Sequence, residues 1–172
     1  MIQKLSHAQI EYCFYHLKHN IVIDDEIKSR IRLVDNTSNI NELEFQNKIL
    51  FLKSNTAFDI NKCIFLDDLP ILFPSNNHQD KWYSMNEGKL VFHHDILKSV
   101  FYLLSGAYEY ENPSSDSLGR YPYKDSLPKK LDCINKPIVN YYFDIIYKGL
   151  NEYCTHHQLP IIKKRSLCNG PT

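Results

Sequence analysis

With 172 residues and 43% hydrophobic composition, the chain has the material for one globular domain, burying roughly 70% of the surface its unfolded form would expose. Lysine plus arginine equals aspartate plus glutamate at 20 each, so no overall field draws nucleic acid or an anionic membrane. No apolar run reaches membrane-spanning length and the N-terminus lacks the apolar core of a secretory signal, so neither membrane nor nucleic acid is an expected partner, and the expected location is the cytoplasm.

In chain order, Ile10, Cys13, Phe14 and Leu17 recur at helical spacing behind Ser6, which predicts an N-capped amphipathic helix from Ser6 to His19. NIVIDD reads as a short strand, and the polar segment from there through VDNTSNINELEF reads as loop with some local helix. NKILFLKSN, KCIFLDD and LPILFPSNN are compact apolar runs bounded by asparagine, aspartate and proline, the pattern of short strands. KWYSM and KLVFH flank NEG, whose Gly88 suits the positive φ of a tight hairpin turn.

Leu97, Val100, Phe101, Leu104 and Tyr108 line one stripe of a helix capped by His94 or Asp95. NPSSDSLGRYPY ends it, because Pro113, Gly119 and Pro122 oppose regular helix. A last helix opens at Pro137 and carries Ile138, Tyr141, Tyr142, Ile145, Ile146, Leu150, Tyr153 and Cys154 at helical spacing, a broad face expected to be well buried. The sum is a single α/β domain: a small mixed β-sheet with a hairpin, flanked by amphipathic helices. Residues 1–160 form the domain on this reading, and the basic segment 161–172 is a linker.

Chemistry-bearing patterns are few. Cys13, Cys63, Cys133, Cys154 and Cys168 are odd in number and never spaced C-x-x-C, so they read as reduced thiols filling the core. Cys13 with His16 and Cys154 with His157 each form C-x-x-H, which on two helices could build a zinc site, although both cysteines also fit the apolar stripes. Asp67-Asp68 and His93-His94-Asp95 supply carboxylates and imidazoles, yet neighbouring residues do not share a face, and structural roles at a turn and a cap explain them. Ser105 lies inside a helix without a nucleophile elbow, and no glycine-rich phosphate loop is present. The densest cluster is YEYENPSSDSLGRYPYKDS. Arg120 offers a bidentate fork, Tyr108, Tyr110, Tyr121 and Tyr123 offer rings with polar tips, and Asp116 or Glu109 could lock the arginine. The loop is then either a clamp or a recognition surface for a sugar or a partner domain.

LPILFP, VFHHDILKSVFYLLSGAYEY, DSLGRYPYKDS and NKPIVNYYFDII together resemble the N-terminal region of polysaccharide deacetylase-like proteins of Bacteroidota, from about residue 68 to residue 154. On that resemblance the helix-end positions fall on Ser105, Tyr108, Glu109 and Tyr110, the loop positions on Asp116, Gly119, Arg120 and Ser126, and the last helix starts at Pro137 and Val139. Gly106-Ala107 departs from the family, which often has a bulky polar residue after the helical serine. The resemblance implies a non-catalytic accessory domain of a cell-envelope glycan deacetylase, positioning glycan or bracing a following catalytic domain. A divalent metal would belong to that catalytic domain, which residues 161–172 would lead to, and no cofactor to this segment. The candidate binding or interface residues are Tyr108, Glu109, Tyr110, Asp116, Gly119, Arg120, Tyr123 and Ser126. No catalytic or metal-ligating residue is assigned. A stand-alone glycan- or ligand-binding module and a small zinc protein are the alternatives.

Overall fold

The computed structural model describes residues 2, 4–35, 43–75 and 80–165. The predicted first helix is α1 (His7–Asn20), opened by a capping box in which Ser6 and Gln9 exchange side-chain bonds with each other's backbone N–H groups. It leads through β1 (Ile21–Val22) and α2 (Asp25–Arg30) into β2 (Ile31–Asp35). The polar segment read as loop therefore contains a strand, and IRLVD is too short and too charged to announce it. β3 (Ile49–Lys53), β4 (Ile64–Leu66) and β5 (Leu69–Ile71) fall on the three apolar runs, and β6 (Tyr83–Asn86) and β7 (Lys89–Phe92) form the expected hairpin about Glu87 and Gly88, both at positive φ.

The helix read as continuous to Tyr108 is two helices. α3 (Ile96–Ser105) ends at Gly106, whose φ of 64° is left-handed, and α4 (Ala107–Glu111) starts from it. A short helix α5 (Leu127–Lys130), the long α6 (Ile138–His156) and a two-residue strand β8 (Lys163–Lys164) follow among the described residues. β8 pairs antiparallel with β1, while Ile162 is buried in the core and both its backbone groups bond the side chain of Asn151.

The fold class is the expected one. A four-stranded mixed sheet runs β2-β3-β7-β6, with β2, β3 and β7 parallel and β6 antiparallel to β7. Alternation along the strands divides the apolar side chains. Ile49, Phe51, Leu90 and Phe92 join the main core with α1, α3 and α6, whereas Val34, Leu50, Leu52 and Val91 form a second cluster with Phe45. Register places Phe51 opposite Phe92, and their rings stack at 4.5 Å. Across the sheet, α6 approaches so closely that a Cβ on Gly149 would stand 2.9 Å from Phe92 Cζ.

Candidate functional site

The segment 112–126 holds itself in shape. Asp116 Oδ1 accepts the backbone N–H groups of Leu118 and Arg120 at 2.8 and 3.0 Å, and Oδ2 accepts Arg120 Nε and Nη2 at 3.1 and 2.9 Å. Gly119, at φ 75°, lets the chain double back so that the Asp116 N–H reaches the Arg120 carbonyl at 2.8 Å. These bonds, the two backbone N–H groups foremost, hold the Asp116 carboxyl below the usual carboxylate range. The arginine is thus locked by Asp116, within its own loop.

Glu109 has a different task. Its Oε1 accepts the Leu127 N–H at 3.3 Å, tying α4 to the start of α5, where Ser126 occupies the N-cap position and donates its hydroxyl to the Tyr123 carbonyl. Tyr108 is 5% exposed, its ring edge-to-face with Phe58 and its hydroxyl accepting from Lys130 at 2.8 Å. Its burial agrees with its place on the apolar stripe shared with Leu97, Val100 and Phe101, so it is packed into the core rather than presented to solvent. What does face outward is Tyr110 at 85%, Leu118 at 71% and Tyr123 at 55% exposure, with the Arg120 side chain. Next to Tyr110, Ile2, Phe101, Ser105, Ala107 and Glu111 line an apolar hollow of about 320 Å³.

A second polar centre lies at the carboxyl ends of β3 and β7, the edge at which parallel sheets commonly hold ligands. Ser54, Ser75, His93, His94, Asp95, Lys98 and Ser99 are all buried there. Of these, FHHD contributes three, and the cap role of Asp95 was legible; Ser54, Ser75 and Lys98 carried no pattern in the sequence. His94 Nδ1 accepts the Ser75 N–H at 3.2 Å, so the neutral ring carries its proton on Nε2, and His93 Nε2 is hydrogen-bonded to Ser84 Oγ at 2.9 Å. Lys98 Nζ donates to the Thr56 carbonyl at 2.7 Å and sits 4.3 Å from the centre of the Phe73 ring. Burial depresses its pKa, against the pull of Asp95 and Glu111. The hollow among these groups has no space for even a water-sized sphere, so the cluster serves as a joint between sheet and helix.

The remaining sequence candidates are dispersed. Cys13 Sγ donates to the Leu97 carbonyl, and His157 Nε2–H donates to the Gly88 carbonyl at 2.8 Å. Burial pushes the Cys13 thiol up to about 12 and that of Cys63 up to about 11, so neither is a ready thiolate. Cys13, Cys63, Cys133 and Cys154 are free, whereas Cys168 lies outside the described residues. Among the described residues no three His, Cys, Asp or Glu side chains converge as a metal site, and no helix is long and apolar enough to cross a membrane. Ser105 Oγ donates back to the Phe101 carbonyl at 2.7 Å. Asp67 and Asp68 are the two central residues of the β4–β5 turn, at φ 51° and 60°, and not the end of a continuing strand.

The model of a family described as a family of unknown function (DUF7033) matches residues 2–155. Neither a curated protein nor a solved structure matches the chain.

Proposed function

We propose that this chain, which belongs to the DUF7033 family, is a non-catalytic accessory module of a glycan-modifying enzyme, positioning glycan or bracing a catalytic domain. The observation that carries this reading is the Asp116–Arg120 fork. A surface loop made rigid by its own bonds, while Leu118, Arg120 and Tyr123 point away from the core, loses little entropy when another molecule covers it. The resemblance of SGAYEY, DSLGRYPYKDS and NKPIVNYYFDII to deacetylase N-terminal regions supplies the class of enzyme. Free thiols at all four described cysteines agree with a reducing compartment such as the cytoplasm.

The experiment has two arms. The 172-residue chain, incubated with an N-acetylated glycan, is expected to release no acetate; release would overturn the reading. Addition of a polysaccharide deacetylase catalytic domain is expected to shift the amides of Leu118, Gly119 and Tyr123; shifts caused by an oligosaccharide with no response to that domain would select the stand-alone binding module.

A further inference from the structure

Between the β4–β5 turn and the first turn of α6 lies a concavity of about 230 Å³, lined by Asp67, Asp68, Leu69, Lys136 and Tyr141. It is smaller than the ~300 Å³ at which pockets for drug-sized ligands begin, a size suited to a single ring. Its apolar part is Leu69 and the Tyr141 side chain, a large aromatic left 42% exposed in the first turn of α6, while the helix buries Ile138 and Tyr142 beside it.

Its polar groups are held from behind. Asp67 Oδ2 accepts the Trp82 indole N–H at 3.1 Å, which orients the carboxylate and leaves it further acceptor capacity. Lys136 Nζ donates to the Asp68 carbonyl at 2.9 Å, and an ammonium has two more protons to give. The turn itself does not call for acids, since asparagine and glycine take left-handed φ at least as readily. Two carboxylates and one ammonium thus line a recess with an aromatic wall.

We infer that this recess binds a pyranose ring that carries a free amino group; the inference rests on the glycan-positioning side of the reading above. An exposed tyrosine ring packs against the C–H face of a sugar and keeps its hydroxyl wet. Carboxylates accept charge-assisted hydrogen bonds from an ammonium, and sugar hydroxyls supply further donors. The excess negative charge attracts that amine and repels a uronate or a phosphate.

The test titrates three tetrasaccharides into the 172-residue chain at millimolar concentration, followed by amide NMR: β-1,4-linked glucosamine, its fully N-acetylated form and a galacturonate oligomer. The glucosamine tetramer is expected to bind most tightly and to move the amides of Asp68, Leu69 and Tyr141. Tyr141→Ala and Asp68→Asn are each expected to weaken it by about tenfold. Asparagine tolerates the left-handed backbone, so Asp68→Asn removes charge without breaking the turn. Undiminished binding in both variants would overturn the site and leave glycan positioning standing. A preference for galacturonate would overturn the ligand class. Binding of none of the three would overturn the inference together with the glycan-positioning reading, leaving only the bracing role.

Discussion

Asp95 Oδ2 accepts the backbone N–H of Ser54 at 2.7 Å while Oδ1 accepts that of Lys98 at 3.0 Å, so one buried carboxylate fastens the end of β3 to the first turn of α3. The Asp95 N–H in turn reaches the Phe73 carbonyl at 3.2 Å, which adds the segment after β5 to the same knot. Burial raises its pKa to about 6, a push that the two N–H groups, Lys98 and Lys53 only partly offset.

A carboxyl raised in the folded state from 3.8 to about 6 stabilises most below the lower value, and that contribution fades as pH rises through the higher one. Between pH 4 and pH 7 the loss amounts to about 2 kcal/mol from this group. Urea unfolding of wild type and Asp95→Asn across this range should show the difference in stability shifting in favour of the variant as pH rises. Parallel profiles for the two proteins would refute the buried charge.

Asp116 has the opposite sign. Its carboxyl is depressed, chiefly by the N–H groups of Arg120 and Leu118, so loop order is present above the ordinary carboxylate pKa and is lost as pH falls through the folded value. Asp116→Ala should speed hydrogen exchange at the amides of Leu118 and Arg120, both of which lose their acceptor. Arg120→Ala should leave those two amides protected and the melting temperature nearly unchanged, because the guanidinium is 71% exposed. A collapse of folding in Arg120→Ala would contradict this division of labour.

The helices and the hairpin were legible because each carries local punctuation. Ser6, Asp95 and Gly88 act within a few residues of their own positions, and the roles read for them are those they take. β2 was not legible, since a five-residue parallel edge strand gains its partners from Ile49–Lys53, some eighteen positions along the chain. The burial of Tyr108 was legible from the stripe it shares with Leu97, Val100 and Phe101. What was not legible is the break at Gly106, whose left-handed φ divides that run into α3 and α4. The concavity at Asp67 and Asp68 was hidden likewise, because its wall at Tyr141 comes from a helix more than seventy positions away.

Ile162 is 4% exposed, and its N–H and carbonyl bond the Asn151 side chain at 2.8 and 3.4 Å, although the family match stops at residue 155. Ile162→Ala should therefore cost about 2–4 kcal/mol, like other truncations in a packed core. Asn151→Ala should cost about 1–2 kcal/mol by removing both hydrogen bonds. Chemical denaturation of the two variants checks this, and wild-type stability in both would mean that β8 does not dock in solution.

Gly149 should resist the substitution that helix propensity recommends. In an exposed helix, glycine to alanine gains about 1 kcal/mol. Here the new methyl would stand 2.9 Å from Phe92 Cζ, 3.0 Å from Cε1 and 3.4 Å from Tyr83 Cδ1. Phe92 cannot easily retreat, being fully buried and stacked on Phe51. Overpacking of this kind costs about 1–3 kcal/mol, which outweighs the propensity gain, so Gly149→Ala should lower the melting temperature. Pairing it with Phe92→Leu tests the cause: if contact with that ring is the source, the double variant should be more stable than the two single losses predict by addition. Strict additivity would place the strain elsewhere on α6.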